Sequence, residues 1–437
     1  MAGMSMNALL RKKGSLKKDA ALVYSGYFLR YLSQIILIPY YGRVLGPTSY
    51  GQVMAAMSFM TIIWVVVNYG FPMPGVRDLA SAKTRDERTA IFSRQLLART
   101  LLVPFGLLIG VVGTLLSPSL AENIWFGVLG TILGFLNAFS LSWFFQGLRQ
   151  FRTSILLEAI AYPITILLVL LFVRGPEDGI YAMIALVVSG AVCLTTSFFF
   201  ALKYASFRLQ PLRDWLKEVK NATIFFATSF SFTLLTSGST YILSLMATAT
   251  EVGYFGAAEK FVSLGVSFLG PMGQVLMPTI SGLHKENVAR AFQVARKGLM
   301  VETCYGLLAP LAGVVLAPFL IPLILGKGFE PSVLLFQIML WIFPFAAFKH
   351  AVILYMLVPL RKEKYFLMTS LVNVAVNLSI ALMAVPLWGA TGMAYARIGG
   401  EVVATVFLAI VISKLGLLKR IVSDIHLYEE TAKHGRN

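Results

Sequence analysis

The sequence predicts an all-α polytopic membrane protein with about twelve transmembrane helices in two six-helix lobes, related by a pseudo-two-fold axis along the membrane normal. Three observations predict this fold class. The 437 residues are 57% hydrophobic and only 13% charged, so that a soluble chain of this composition would expose large apolar patches. Apolar blocks of about 20 residues, the length that crosses a bilayer as a helix, recur along the whole chain. Finally, the two halves of the chain share similar segments.

The predicted spans are the apolar blocks between short charged or Gly- and Pro-rich stretches. They cover residues 19–42, 49–73, 94–116, 122–147, 154–173, 180–202, 221–247, 252–278, 299–325, 332–358, 367–387 and 391–413. The predicted organisation is an N-terminal six-helix lobe at 1–202, a cytoplasmic amphipathic linker at 203–220, a C-terminal six-helix lobe at 221–413 and a cytoplasmic tail at 414–437. A polar stretch long enough for a separate soluble domain of about 100 residues is not present in the sequence.

Lysine and arginine alternate from loop to loop. They are concentrated in the N-terminal tail and in every second loop, whereas the opposite loops contain only Arg43, Arg174 and Lys327. Because cytoplasmic loops carry the excess of Lys and Arg, both termini are predicted to be cytoplasmic. The net charge of +17 is therefore a topology signal spread over short segments, and no nucleic-acid partner is predicted.

An internal repeat relates the two halves. The segment SYGQVMAAMSFM aligns with EVGYFGAAEKFV, which pairs Gly51 with Gly253 and Phe59 with Phe261. Since six spans is an even number, both halves enter the membrane in the same direction, as in parallel-repeat transporters.

The sequence lacks the motifs of an enzyme. Both cysteines, Cys193 and Cys304, lie inside apolar runs, and the four histidines show no metal-ligand spacing. The segment LGKGFEP lacks the first glycine and the Ser or Thr of a Walker A sequence. The predicted external loops, shorter than about ten residues, leave no room for a catalytic surface outside the bilayer. We therefore predict a non-enzyme without metal or cofactor.

The junction PYYGRVLGPTSYGQ between the first two spans predicts a turn and a hinge. Gly46 and Pro47 make a tight external turn, Pro39 kinks the end of the first span, and Gly51 lets the two helices pack closely. A purely structural turn, with Arg43 as an interface anchor, is the alternative. Similar interruptions are GFPMPG at 70–75, LGPMGQVLMP at 269–278 and IFPF at 342–345.

Charged residues inside the spans are the candidate functional residues, because each costs several kcal/mol unless it faces a cavity or a partner. They are the basic Arg30, Arg99, Lys260, Lys349 and Arg397 and the acidic Glu158, Glu259 and Glu401. This net basic interior favours an anionic ligand, whereas an exporter of cationic drugs would favour acidic groups.

Several of these residues have a structural alternative. Arg99 and Glu158 lie near the cytoplasmic ends of their spans, where they can snorkel to the interface. Arg397 and Glu401 are four residues apart and can form an ion pair within one helix.

Arg30 and Lys260 are the strongest candidates for a cavity role, since both lie near the middle of a span. Glu259 precedes Lys260 directly, but adjacent helical residues diverge by about 100°, so the two side chains point in different directions.

Six segments, in order from about residue 15 to 415, carry a resemblance to a known family: PYYGRVLGPTSYG, VNYGFPMPGVRDLASAKTRDER, WFFQGLRQF, EVGYFGAAEKF, LGKGFEPSVLLFQIMLWIFPF and WGATGMAYARIGGEV. Together they resemble the Wzx-type O-antigen and polysaccharide flippases of the multidrug/oligosaccharidyl-lipid/polysaccharide exporter superfamily. The resemblance implies a transporter of the bacterial inner membrane that moves an undecaprenyl-pyrophosphate-linked oligosaccharide from the cytoplasmic to the periplasmic leaflet by alternating access. The product would serve O-antigen, capsule or exopolysaccharide synthesis.

The resemblance also assigns expected roles. A pyrophosphate-bearing substrate implies contacts from the cations Arg30, Lys260, Arg99, Arg397 and Lys349. Without a nucleotide site, transport is expected to be driven by an ion gradient or by consumption of the flipped product. In the first case H⁺ or Na⁺ would bind at Glu158, Glu401 or Glu259. Membrane lipids and polysaccharide polymerase machinery are the further partners considered. The alternative function is a small-molecule or drug cation antiporter of the same superfamily.

Overall fold

The structure, a computed structural model, describes residues 6–417 apart from position 363. Side chains are described at residue 29 and from residue 32 onward, apart from 285 and 363. Every regular element in this part of the chain is helical. The chain forms two compact units: an N-terminal unit, which runs to Thr233 and includes Thr248–Thr250 and Ile324–Lys327, and a C-terminal unit of Leu234–Ala247, Glu251–Leu323 and the chain from Gly328 onward.

The N-terminal unit is built from nine helices. They are α1 (Met6–Asn68), α2 (Pro72–Ser81), α3 (Arg85–Leu116), α4 (Pro118–Ala121), α5 (Ile124–Ala138), α6 (Ser142–Gly147), α7 (Phe151–Phe172), α8 (Gly179–Ala201) and most of α9 (Leu212–Leu235). A short 3₁₀ turn, Pro176–Asp178, precedes α8.

The C-terminal unit is built from seven further helices and one π-helical turn. They are α10 (Gly238–Ser244), α11 (Ala249–Ser267), α12 (Leu269–Glu286), α13 (Val288–Leu325), α14 (Pro331–Met339), α15 (Ile342–Val352), the π turn Ile353–Leu357 and α16 (Lys364–Lys414).

Nine helical stretches among the described residues are long and apolar enough to cross a bilayer. Two of them each account for two predicted spans, because Leu32–Asn68 is interrupted at Gly46 and Lys364–Lys414 at Gly389. The predicted span 221–247 corresponds to α9 and α10, whose many Ser and Thr residues lower their hydropathy. All twelve predicted spans therefore have a helical counterpart, and the predicted fold class is confirmed.

Glycine makes both interruptions possible. Gly46 adopts φ 67° and Gly389 φ 51°, a region that residues with a Cβ rarely occupy. Pro47 follows Gly46 and removes a backbone donor, so the helical hydrogen-bond ladder stops there. A Cβ on Gly389 would also overlap the Glu251 carboxylate.

The other interruptions in the sequence coincide with helix starts. Gly70, with φ 71°, immediately precedes α2, while α12 begins at Leu269 and α15 at Ile342. Helix α9 begins at Leu212, inside the segment predicted as the linker 203–220, so the second half of that segment continues directly into the following span. The remaining lobe boundaries stay a prediction, and the tail beyond residue 417 lies outside the described residues.

The start of α3 is fixed by its own sequence. The Thr84 hydroxyl accepts a hydrogen bond from the Glu87 amide at 3.2 Å, and the Glu87 carboxylate accepts one from the Thr84 amide at 3.4 Å. Such a capping box stabilises a helix start by about 1 kcal/mol. It sets the register of α3 and with it the positions of Arg94, Gln95 and Arg99.

The two adjacent alanines that the repeat aligns are buried in both units, whereas Phe59 is fully buried and its counterpart Phe261 only partly. Ala55 and Ala56 on α1 are fully buried, as are their counterparts Ala257 and Ala258 on α11. Small residues allow neighbouring helices to approach closely in a membrane protein. The shared motif therefore marks a packing surface in each unit.

Candidate functional site

Four of the predicted charged residues come together in the C-terminal unit. Arg397 Nη2 lies 3.4 Å from Glu259 Oε1, and Lys349 Nζ lies 2.5 Å from Glu401 Oε2. The four side chains, here called the charged cluster, are between 8% and 12% exposed. Ion pairs at such depth need good geometry and further hydrogen bonds to offset desolvation.

Neutral polar residues donate hydrogen bonds to both carboxylates of the cluster. The Thr240 hydroxyl on α10 donates to Glu259 Oε2 at 2.7 Å, and Asn373 Nδ2 on α16 donates to Glu401 Oε1 at 2.9 Å. Asn373 reaches Glu401 because α16 turns back at Gly389, which brings its two segments side by side. Their close approach is visible at Gly400, where a Cβ would lie 2.5 Å from Asn373 Oδ1.

Buried polar atoms of the cluster and of nearby α16 residues lack a hydrogen-bond partner among the described residues. They include the donors Arg397 Nε and Asn377 Nδ2 and the acceptor Asn373 Oδ1. An unsatisfied buried polar group costs on the order of 1–3 kcal/mol. A ligand that satisfied these atoms would need both acceptors and donors.

The structural alternative of an ion pair within one helix, Arg397 with Glu401, is not the arrangement found. Arg397 pairs with Glu259 from α11, and Glu401 pairs with Lys349 from α15. Each of these two charges of α16 therefore has its ion-pair partner on another helix. Both predicted cations of the cluster are thus neutralised by predicted coupling carboxylates.

The two strongest candidates for a cavity role, Lys260 and Arg30, are not tested by this cluster. Lys260 follows Glu259 on α11, is half-buried and makes an interaction of its own. The side chain of Arg30 lies outside the described residues. Their expected contacts with substrate stay predictions.

Arg99 is fully buried in the N-terminal unit. Its guanidinium donates to the Ala138 carbonyl at 2.9 Å, to the Gln95 carbonyl at 2.9 Å and to Asn68 Oδ1 at 3.3 Å. Ala138 ends α5, so Arg99 supplies a donor where a helix end leaves a backbone carbonyl unpaired. Asn68, the last residue of α1, contributes its side-chain oxygen. The snorkelling alternative is wrong for Arg99, because these contacts hold its charge inside the protein.

Aromatic rings cover the same guanidinium. Arg99 Cζ lies 5.3 Å from the ring centroid of Phe71 and 5.4 Å from that of Trp143. Cation–π contacts of this length are favourable, and more so when shielded from water. Arg99 is therefore held by neutral oxygens and π faces.

A chain of polar contacts continues from Arg99 to Glu218, which is 3% exposed. Gln95 accepts from Arg99 at 3.2 Å and donates to Glu218 Oε1 at 2.5 Å. Arg94 forms a 2.8 Å ion pair with Glu218 Oε2. Sequence reasoning missed Gln95 and Glu218, since glutamine carries no charge and Glu218 fell in the predicted linker.

Glu158 belongs neither to the charged cluster nor to the chain of polar contacts from Arg99 to Glu218. It lies exposed on α7, near Cys193, and takes part in an interaction of its own. Its predicted role in ion coupling has no further support from its surroundings.

The four predicted turn residues occupy different environments on α1. Gly46 has the non-helical conformation, while Pro39 and Pro47 lie within helical stretches on either side of it. Gly51 is buried in the helix that follows. The junction is therefore a break at one residue, and its use as a hinge stays a prediction.

A second carboxylate was missed in the C-terminal unit. Glu302 on α13 is fully buried, and it contacts His350 on α15 and Tyr355 in the π turn. Glu302 falls inside the predicted span 299–325 and was omitted from the charge comparison. With Glu218 and Glu302 included, the described interior is less basic than the sequence comparison predicted.

The helices and buried charges define a multi-pass membrane transporter of all-α fold. The sequence profile described as "Polysaccharide biosynthesis protein" matches residues 16–284. The chain belongs to this family, which confirms the resemblance to Wzx-type flippases.

Two curated relatives carry the name "Putative O-antigen transporter". The protein from Shigella dysenteriae is 25% identical over 399 residues, which covers 90% of this chain and 99% of the relative. The protein from Escherichia coli strain K12 is 25% identical over 338 residues, which covers 75% of this chain and 79% of the relative. The prediction of a transporter rather than an enzyme is confirmed by these relatives.

Solved structures with the same fold are transporters as well. "Lipid II flippase MurJ, inward closed conformation" aligns with a TM-score of 0.72 at 13% identity and covers 93% of this chain and 91% of its own. An inward-facing multidrug resistance MATE family transporter of the MOP superfamily aligns with a TM-score of 0.67 at 15% identity and covers 92% and 95%. At these identities the likeness establishes the fold alone.

Proposed function

We propose that this protein is a flippase that moves an undecaprenyl-pyrophosphate-linked oligosaccharide from the cytoplasmic to the periplasmic leaflet of the bacterial inner membrane by alternating access. The observation that carries the proposal is the family membership together with the O-antigen transporter relatives, one of which aligns over 99% of its length. The Lys and Arg distribution favours cytoplasmic termini.

The charged cluster suggests how substrate and coupling ion exchange. In the described arrangement, Lys349 and Arg397 are occupied by Glu401 and Glu259. A pyrophosphate carries more negative charge than a carboxylate and would compete for these cations. Each carboxylate that loses its cation then needs H⁺ or Na⁺, because an unpaired buried charge is costly.

This exchange links two sets of expected residues in one step. The cations Lys349 and Arg397 alternate between carboxylate and substrate, while Glu401 and Glu259 alternate between cation and coupling ion. Arg30, Lys260 and Arg99 were the other expected substrate contacts. Of these we retain Arg30 and Lys260, since the donors of Arg99 are engaged by helix ends.

Gene deletion tests the function directly. We expect one surface polysaccharide to disappear and its lipid-linked repeat unit to accumulate on the cytoplasmic side, with recovery when the gene is restored. Increased sensitivity to cationic drugs with unchanged polysaccharide would instead support the antiporter alternative.

Reporter fusions test the orientation. Fusions at Leu212 and His284 are expected to report a cytoplasmic location, and fusions at Pro118 and Thr248 an external one, because of the Lys and Arg asymmetry. An external result at Leu212 would overturn the six-plus-six arrangement.

A further inference from the structure

A buried group of three titratable side chains in the C-terminal unit lies apart from the charged cluster in its contacts. Glu302 on α13 is fully buried. Its Oε2 lies 2.9 Å from Nδ1 of His350, and its Oε1 accepts a short hydrogen bond from the Tyr355 hydroxyl. Both carboxylate oxygens are thus occupied, one by a group that can change its charge.

The charge of this group depends on His350. Tyr355 donates a hydrogen bond and stays neutral, and a neutral imidazole also donates from only one nitrogen. The group then carries one negative charge at a fully buried position, which is costly. One proton from water, added to Nε2 of His350, makes an imidazolium and brings the net charge of the group to zero.

The imidazole keeps some exposure, whereas the carboxylate does not. The His350 side chain is 23% exposed, and that of Glu302 is fully buried. A Cβ on Gly273 of α12 would lie 3.0 Å from Cε1 and 3.2 Å from Nε2 of His350, so α12 packs closely against this ring edge. A proton would therefore reach the ring through its exposed part.

The π turn is what allows two residues of one segment to reach the same carboxylate. In an α-helix, residues five apart differ by about 140° around the axis. His350 and Tyr355 are five apart and would point away from each other. The wider π turn Ile353–Leu357 reduces this angle, so that both side chains reach Glu302. Such turns are frequent at functional sites.

The surroundings supply few competing charges. Lys349, the neighbour of His350, pairs with Glu401. One turn before Glu302, α13 has Gly298, and α16 packs the apolar Leu408 and Ile412 against the core that contains Tyr355. On α12, besides Gly273, the titratable His284 lines a small cavity together with Tyr355.

We propose that Glu302, His350 and Tyr355 form a proton-binding site whose occupancy couples transport to the proton gradient. This inference rests on the proposed flippase function for its coupling, but the proton site itself is measurable without transport. It is a second ion-binding position, in addition to Glu401 and Glu259 of the charged cluster.

Histidine NMR on the purified full chain tests the proton site. The chain has four histidines, and the His350 signal is assigned by its loss in His350→Gln. We expect Glu302→Gln to lower the proton affinity of His350, because it removes a negative charge 2.9 Å from the ring, and to leave the other three histidines unchanged. An unchanged His350 titration overturns the site.

Two further variants guard against misfolding. Tyr355→Phe keeps the carboxylate and removes one hydrogen bond, so a smaller change in the same His350 signal is expected. His284→Gln is the matched control, since among the described residues His284 makes a ring contact with Phe292 but no ion pair, and it should leave the His350 titration unchanged.

Transport in vesicles with an imposed pH gradient tests the coupling. Wild-type protein and His284→Gln should respond to the gradient, whereas Glu302→Gln, per folded molecule, should respond more weakly. An equal response of Glu302→Gln and wild type overturns the coupling through Glu302. A wild type that flips lipid-linked oligosaccharide without responding to the gradient overturns the coupling. If the wild type flips none at all, the proposed function fails, and the NMR result still decides the proton site.

Discussion

The two units bury cations in opposite ways. In the N-terminal unit, Arg99 is surrounded by carbonyl and amide oxygens and by two aromatic rings. In the C-terminal unit, Lys349 and Arg397 each face a carboxylate. We infer from this difference that Arg99 is a fixed part of the fold, whereas Lys349 and Arg397 can exchange partners during transport.

Arg99 has no partner whose charge can change in direct contact. Its acceptors are neutral and belong to the ends of α1 and α5 and to α3 itself. The rigid guanidinium fork suits such a fixed set of acceptors. The carboxylates of the charged cluster, in contrast, can bind a proton or a sodium ion when their cation leaves. We infer that Arg99 holds helices and that the charged cluster works in transport.

The largest loss of stability is expected when Arg99 is replaced. Arg99→Ala removes the donors to three acceptors and should lower the free energy of unfolding by on the order of 3–5 kcal/mol. Arg99→Lys should restore little, since an ammonium cannot reproduce the fork. Folded yield and Tm in detergent measure this, with Arg77→Ala as control, because the Arg77 side chain is 72% exposed. A folded yield of Arg99→Ala equal to that of the control would contradict a structural role.

The next effect is on the pair of Lys349 and Glu401. Lys349→Met strands the Glu401 carboxylate and should cost on the order of 3–5 kcal/mol, whereas adding Glu401→Gln removes the stranded charge and should recover part of the loss. A double-mutant cycle on Tm measures the coupling. If the losses of the two single variants simply add in the double variant, the interaction between Lys349 and Glu401 contributes nothing to stability.

The sequence predicted the fold better than the site. Apolar blocks reveal spans directly, and the glycine at position 46 marked the break in α1. The charged residues Lys349, Arg397, Glu259 and Glu401 were visible for the same reason, as exceptions in apolar blocks.

Their partners were not visible, because periodicity describes one helix and not which helices face each other. The alternative pair of Arg397 with Glu401 followed from spacing, but α16 folds back at Gly389 and meets α11 and α15 instead. Tyr355 was missed for a related reason: only the π turn places it beside Glu302.

A third prediction concerns Arg30 and Lys260, the cations expected to contact pyrophosphate. Either alanine variant should lower substrate affinity roughly ten- to hundredfold, since a charge-assisted contact contributes on the order of 1.5–3 kcal/mol. Arg30→Lys should retain part of the export and Arg30→Gln should not, because phosphate accepts a point charge. Polysaccharide export per folded molecule is the measurement. Normal export by both alanine variants at equal abundance would remove these residues from the site.

The smallest effect is expected at Thr240. Thr240→Val removes the 2.7 Å hydrogen bond to Glu259 and leaves the ion pair with Arg397, so the loss in stability should be on the order of 1.5–3 kcal/mol at most. Thr279→Val is the matched control, since its hydroxyl donates to the Val275 carbonyl one turn earlier on α12, away from the charged cluster. Equal Tm values for the two variants would show that Thr240 does not support the cluster.

The most direct test compares export per folded molecule in Arg99→Lys and Glu401→Gln, expressed in a deletion strain. The surface polysaccharide is quantified and divided by the amount of monodisperse protein extracted from the same membranes. We predict that Arg99→Lys loses export only in proportion to its folded protein, while Glu401→Gln exports less per folded molecule, beyond what its reduced abundance explains. Normal export per molecule by Glu401→Gln, together with a specific loss in Arg99→Lys, would contradict the division between a fixed cation and an exchanging cluster.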